Sequence, residues 1–272
     1  MKITFEIYYH TRWGESLFLS GNIDELGANE ENRAVMMDYQ GDGLWKYTME
    51  LPASAKKFHY EYLVKSGEGI RREWGSPHSF SPGRNDGEYR LVDRWRDVPA
   101  DMPFYSSAFI QGIFFRQHAD SVVETIEPGT LTVKVDASQL RPDERLVMVG
   151  DCPELGDWDV LKAPLLNDSA FPEWQITLDG KHLKFPFEYK FVIVRTHQRE
   201  VVAWETGENR ICREKPQNPS EAVVVSGLRF NGSESQWRGA GTAIPVFSLR
   251  TDYGFGIGEF IDLKYLVDWA LR

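Results

Sequence analysis

Apolar and polar positions alternate from the start of the chain. Ile3, Phe5, Ile7 and Tyr9 alternate with polar residues, and Leu131, Val133 and Val135 repeat the pattern. A period of two predicts strands with one buried face. Leu17–Ser20, Trp45–Leu51, Phe58–Val64 and Tyr89–Val92 continue the set, with Gly, Pro, Asn and Asp between them. Short strands at this spacing predict antiparallel sandwiches.

The pattern occurs twice. Leu17-Phe18-Leu19-Ser20-Gly21-Asn22-Ile23-Asp24-Glu25-Leu26-Gly27 matches Leu146-Val147-Met148-Val149-Gly150-Asp151-Cys152-Pro153-Glu154-Leu155-Gly156. Trp45 falls on Trp174, and Phe58-His59-Tyr60-Glu61-Tyr62 on Phe187-Glu188-Tyr189-Lys190-Phe191, at the same offset. One inserted residue then brings Trp74 onto Trp204. Anchors at a nearly constant offset define an internal repeat. The expected organisation is a first sandwich over 1–98, an inter-module segment over 99–128, and a second sandwich over 129–228. The apolar run Phe109–Phe115 predicts that the segment packs on a module; a flexible tether would be rich in Gly and Ser.

Composition narrows the partners. The chain has 272 residues, 42% of them hydrophobic, and a formal net charge of -10. An acidic surface disfavours nucleic acid and anionic membranes. No apolar run is long enough to span a bilayer, and the first residues alternate where a signal peptide would carry an apolar stretch. Cys152 and Cys212 are too few for a disulfide framework or a four-ligand zinc site. The expectation is a cytoplasmic protein with reduced thiols and no cofactor or metal, a single Cys152–Cys212 disulfide being the alternative.

The second copy carries the candidate chemistry. A pyranose ring has C–H faces that flat indoles can cover and a rim of hydroxyls that charged and amide groups can bind. Trp158 lies in the Gly/Asp loop Gly156-Asp157-Trp158-Asp159, an awkward place for a core residue. Lys190 interrupts an aromatic strand, so its ammonium is expected to face away from the core. Trp174, beside Pro172 and alternating with Ile176, reads as core. With Pro172-Glu173-Trp174, Phe187–Phe191 and Trp204-Glu205-Thr206-Gly207-Glu208-Asn209-Arg210, this copy resembles a starch-binding domain of carbohydrate-binding module family 20. The resemblance implies that Trp158 and Trp204 stack on glucose, that Lys190 and Asn209 bind hydroxyls, and that Glu205 supports them. The implied partner is an α-glucan or maltooligosaccharide.

The first copy matches the framework more weakly. Asn29 falls on Trp158, Glu61 on Lys190, and Gly75 and Ser79 on Glu205 and Asn209. Its equivalent platform is expected to bind poorly. Members of the family often have a second glucan site, and Trp13, Asp38 and Tyr39 fall at those positions, where copy two has Pro142 and Asn167. The expectation is complementary loss, with copy one using the second site and copy two the first.

From Trp237 the texture changes. Ala243–Leu249 predicts an apolar strand, Asp252–Gly258 a Gly-rich loop, and Phe260, Leu263, Leu266, Val267 and Ala270 a helix. The Gly spacing is not that of a dinucleotide loop. Arg238–Arg250 with Gly256–Ala270 resembles the start of the catalytic barrel of glycoside hydrolase family 77, the 4-α-glucanotransferases, also called amylomaltases or disproportionating enzymes. The fold class expected is mainly β: two tandem immunoglobulin-like antiparallel sandwiches, then over 229–272 the first βα unit of a truncated (β/α)8 barrel. The resemblance implies retaining glycosyl transfer. The family's catalytic carboxylates are expected beyond Arg272, so no catalytic residue is assigned and this chain is expected to be inactive alone. A stand-alone glycogen- or starch-targeting module and a protein-interaction sandwich are the competing readings.

Overall fold

The computed structural model describes residues 1–52, 57–83, 87–116, 124–232 and 244–271. It divides into two compact units, Met1–Ser235 and Gln236–Arg272. Copy one supplies β1 (Lys2–Tyr8), β2 (Ser16–Gly21), β3 (Val35–Met36), β4 (Asp38–Gly41), β5 (Leu44–Glu50), β6 (Phe58–Ser66), β7 (Gly69–Arg72), β8 (His78–Phe80) and β9 (Glu88–Arg94). After α1 (Ser107–Gly112), copy two supplies β10 (Thr130–Asp136), β11 (Glu144–Gly150), β12 (Asn167–Ala170), β13 (Glu173–Asp179), β14 (Phe187–Arg195), β15 (Val201–Trp204), β16 (Arg210–Cys212) and β17 (Glu221–Arg229). The mainly β class is therefore observed.

The two copies do not form separate sandwiches. One eight-stranded sheet runs through both, in the order β12-β13-β10-β17-β9-β1-β5-β4. The last strands of the copies, β9 and β17, pair in parallel at its centre, with Ala222 opposite Tyr89 and Val224 opposite Leu91. Side chains alternate across a sheet, and here the two faces go to different cores. Ala222 and Val224 join Ile3, Phe5, Tyr89 and Leu91 in the core of copy one. Val223, Val225 and Val92 join Leu131, Val133 and Trp174 in the core of copy two. The second sheets therefore lie on opposite faces of the shared one: β3-β2-β6-β7 with β8 for copy one, and β11-β14-β15 with β16 for copy two.

Pairing the terminal strands also removes two sheet edges that would otherwise be open. At the end of the seam, β17 shifts register against β10 between Val133 and Val135. Gly227 occupies this bulge at φ 73°, where a Cβ would lie 2.4 Å from the Arg94 carbonyl oxygen. The adjacent Ser226 hydroxyl bonds Asp93, which also accepts the Tyr60 and Tyr62 hydroxyls at 2.9 and 2.6 Å. The described part of the inter-module segment is packed, with Ile110 fully buried in the core of copy two. Arg116 donates to the Leu140, Arg141 and Glu144 carbonyls and to Asp168 at 2.7–3.3 Å.

In the unit Gln236–Arg272, α2 (Asp262–Ala270) forms where the helical spacing predicts it. Asp262 holds its N-terminus by accepting from the Thr251 hydroxyl and the Glu259 N–H. The strand expected over Ala243–Leu249 is not present in its described part. Val246–Ser248 is a 3-10 turn, and Ala243 with Arg238–Thr242 lies outside the described residues. A strand needs a neighbour for its N–H and C=O groups, and Pro245 has no N–H to give. None of the described residues of this unit supplies such a neighbour.

Candidate functional site

Copy two places three side chains on the outer face of its second sheet. Register sets Val149 opposite Lys190 and Val147 opposite Val192. Val192 in turn lies opposite Trp204. Val147, Val149, Val192 and Val194 form a small apolar patch on that face, covered by the loop that carries Trp158, Val160 and Ala163. Trp158 and Trp204 thus border the same patch, with Lys190 in the same face.

The Trp158 loop is held in an uncommon conformation. Gly156, Asp157 and Trp158 all have positive φ, the last at 65°. A bulky residue rarely adopts this region, and the cost is about 1–3 kcal/mol. Backbone bonds enforce it: Trp158 N–H donates to Gly150 at 2.7 Å and Asp157 N–H to Cys152 at 3.1 Å. The ring is left half-buried on the valine patch, and Trp204 is 40% exposed.

Lys190 donates to the carbonyls of Gly207 at 2.6 Å and Glu205 at 3.3 Å. An ammonium has three N–H donors, so one remains for a ligand. Asn209 donates to Glu188 at 2.8 Å, leaving its carbonyl oxygen as an acceptor. Glu205 is different. It is 3% exposed and lies beneath the face rather than on it. Its carboxylate accepts the Phe191 N–H at 2.9 Å and the Arg210 guanidinium at 2.9–3.1 Å. The structure thus groups Trp158, Lys190 and Trp204 on one face, sets Asn209 beside Glu188 near them, and places Glu205 below. Arg210 is the residue that sequence reasoning missed; its signal was the position next to Asn209 and five residues after Glu205.

Copy one corrects the alignment. Its loop repeats the backbone of the Trp158 loop, with Gly27, Ala28 and Asn29 at φ 84°, 52° and 65°. Asn29 therefore does occupy the place of Trp158. Leu63, the counterpart of Val192, pairs with Arg72. Glu73 then accepts the Tyr62 N–H at 3.1 Å, as Glu205 accepts that of Phe191. So Arg72, not Trp74, stands where copy two has Trp204, and Glu205 is retained as Glu73 rather than replaced by Gly75. His78 sits opposite Tyr60 as Arg210 sits opposite Tyr189, so Pro77 rather than Ser79 corresponds to Asn209. The sequence alignment failed because the turn between β14 and β15 in copy two is three residues longer than that between β6 and β7, where the alignment allowed one, and a nearby tryptophan attracted the match. Trp74 packs edge-on against Tyr105 at 5.0 Å and lies under Arg229 at 5.6 Å. In place of an aromatic platform, copy one has Arg72 ion-paired with Glu61 and Glu31.

The second-site residues lie elsewhere on copy one. Trp13 is fully exposed in a turn closed by the Glu15 N–H to the Arg12 carbonyl. Asp38 and Tyr39 are in β4, the edge of the shared sheet, and Tyr39 packs on Trp45 at 5.1 Å. Among the described residues no ring contact joins Trp13 to Tyr39. Trp174 is fully buried, and its indole N–H donates to the Ala137 carbonyl at 3.0 Å, as Trp45 does to Tyr9.

The starch binding domain family model matches residues 1–83 and again 130–223. The chain belongs to this family. Both starch-binding stretches coincide with the repeat seen in the structure. The chain is also 29% identical to 4-alpha-glucanotransferase DPE2 of Oryza sativa subsp. japonica over 99% of its own length and 30% of that protein's. It is 34% identical over 71 residues to the AA13 family lytic polysaccharide monooxygenase A of Aspergillus terreus, covering 25% of this chain and 18% of that one. Among solved structures it is similar to the family 20 module of the maltotetraose-forming amylase from Pseudomonas saccharophila STB07. That match has 19% identity and a TM-score of 0.30 over 35% of this chain and 98% of that one. The chain thus spans about a third of the length of its glucanotransferase relative.

Proposed function

We propose that this chain is the glucan-binding N-terminal region of a 4-α-glucanotransferase, and that Trp158, Lys190 and Trp204 form its main glucan platform. The observation that carries the platform is the placement of two part-exposed indoles and a lysine with a spare donor on one sheet face. Trp158 and Trp204 stack on sugar faces, while Lys190 and Asn209 bind rim hydroxyls. Similarity to the rice transferase along 99% of this chain, tail included, supports a transferase parent over a stand-alone targeting module. Residues 244–271 then belong to the opening of its barrel. Retaining transfer is assigned to the part of the relative that this chain does not span, so no maltotriose disproportionation is expected from these 272 residues.

A second, weaker site on copy one is proposed at Trp13, Asp38 and Tyr39, since its first-site equivalent is occupied by the Arg72–Glu61–Glu31 ion pairs. One such site gives Kd values of about mM to μM, and two on one polymer raise apparent affinity by effective concentration. Calorimetric titration with β-cyclodextrin tests both. Trp158→Ala and Trp204→Ala are each expected to remove the stronger event, and Trp13→Ala the weaker one. Unchanged affinity in both Trp158→Ala and Trp204→Ala would refute the platform. Unchanged stoichiometry in Trp13→Ala would remove the second site.

A further inference from the structure

Glu205 follows Trp204 directly, yet three N–H groups bond its carboxylate and burial seals it from a sugar. A carboxylate has about four acceptor positions on its two oxygens. Oε1 accepts the Phe191 N–H at 2.9 Å and the Arg210 Nε–H at 3.1 Å. Oε2 shares that same Nε–H at 3.0 Å and lies 2.9 Å from Arg210 Nη2. The side chain is 1% exposed. Arg210 in turn donates from Nη2 to the Arg229 carbonyl at 2.6 Å, and its guanidinium lies 5.4 Å from the Phe191 ring. Arg229 ends β17, in the shared sheet. One residue past Glu205, Thr206 N–H donates to the Asn231 carbonyl at 2.8 Å. The backbone that carries Trp204 is therefore tied through buried charge to β14 on one side and to the shared sheet on the other.

Copy one supplies an internal comparison. It lacks both indoles and the lysine, yet keeps the acid. Glu73 accepts the Tyr62 N–H at 3.1 Å, pairs with Arg96 at 2.9 Å and with His78 at 3.0 Å, and is also 1% exposed. An acid that persists where nothing remains to bind sugar serves the strand, not the ligand.

We infer that Glu205 and Arg210 form a clamp that positions Trp204, and that the Glu205 carboxylate makes no contact with glucan. This rests on the reading of Trp158, Lys190 and Trp204 as a platform. It makes both members positioning residues and separates Glu205 from the ligand-contacting set. A stacking indole gains from contact only when its plane is held; an unclamped strand end would have to order it on binding.

The test uses the whole chain labelled with 5-fluorotryptophan, with the Trp204 19F resonance identified by its loss in Trp204→Phe, and calorimetric titration with β-cyclodextrin. Glu205→Gln keeps the acceptor for Phe191 but turns an amide N–H₂ towards Arg210; Arg210→Ala removes the cation. Each is expected to shift the ligand-free Trp204 resonance and to weaken binding by roughly tenfold. The double variant should be no weaker than the worse single one, because the pair acts as a unit, and Arg210→Lys should recover part of the loss. Weakened binding in Glu205→Gln with an unmoved ligand-free resonance and normal binding in Arg210→Ala would make the carboxylate a direct ligand and overturn the clamp. Normal affinity in both variants overturns it too. If Arg210→Ala does not fold, Glu205→Gln and Arg210→Lys decide on the same two readouts. Full affinity in both Trp158→Ala and Trp204→Ala would instead defeat the platform reading, with the resonance shift still judging the clamp.

Discussion

At the scale of single residues, the role proposed for Trp158 is set against local preference. The same left-handed loop position in copy one carries Asn29, a residue that tolerates it. Trp158→Asn should therefore leave stability within about 1 kcal/mol, strain relief offsetting the lost burial, while removing the stronger glucan event. Urea denaturation and calorimetry on the same variant check the two halves. Glu73 offers a pH test. Burial works to raise its pKa, but His78 and Arg96 outweigh this and hold it at about 2. A folded-state pKa below the unfolded value gives stability that is present above about pH 4.5 and lost as pH falls towards 2. Glu73→Gln should flatten that acid limb in denaturation curves, by about 3 kcal/mol across the window. Asp136 has the opposite sign. Burial, with Glu173 adding to it, pushes its carboxyl up to about 7. Its cost to folding grows as pH rises from the unfolded value of about 4 and is complete above about 7, so Asp136→Asn should stabilise the protein at pH 8 and lose that advantage only below about pH 4. A melting-temperature series over pH reads this directly.

At the scale of elements, the strand pattern was legible because each strand buries one face, which leaves a period of two in the sequence. Trp174 could be assigned to the core for the same reason. The Trp158 loop could be assigned to the surface from its Gly and Asp neighbours. The counterpart of Trp204 could not be found, because hydrogen-bond register, not residue identity, fixes which residue of β7 faces Leu63. The predicted strand before α2 failed for a related reason: an apolar run specifies burial, whereas a strand also needs a partner's backbone. β17 tests the seam most sharply. Gly227 must hold φ 73° against the Arg94 carbonyl, so Gly227→Ala should cost roughly 2 kcal/mol or more, read as a lowered denaturation midpoint with the m-value unchanged.

At the scale of the whole molecule, residues 1–235 form one body because β17 of copy two lines the core of copy one. Val224 is buried there beside Leu91 and Phe5. Val224→Ala, made in copy two, should destabilise copy one by about 2 kcal/mol. Tryptophan signals from the two copies should report coincident urea transitions, the mark of cooperative unfolding. Two separate transitions would show that the shared sheet does not couple them. The shared sheet also fixes the relation between the platform of copy two and the residues Trp13 and Tyr39 of copy one, so any joint binding of one polymer depends on a rigid spacing rather than a tether.

The sequence by itself determined the repeat, the strands, the core tryptophans and the aromatic and cationic residues suited to a sugar, because these follow from local periodicity and side-chain chemistry. Only the tertiary structure decided that the copies share a sheet, that Arg72 replaces Trp204 in copy one, and that Glu205 is buried in an ion pair with Arg210. Each of these depends on which backbone lies beside which. That is set by strand pairing between residues far apart in the chain, and neither composition nor spacing encodes it in a single sequence.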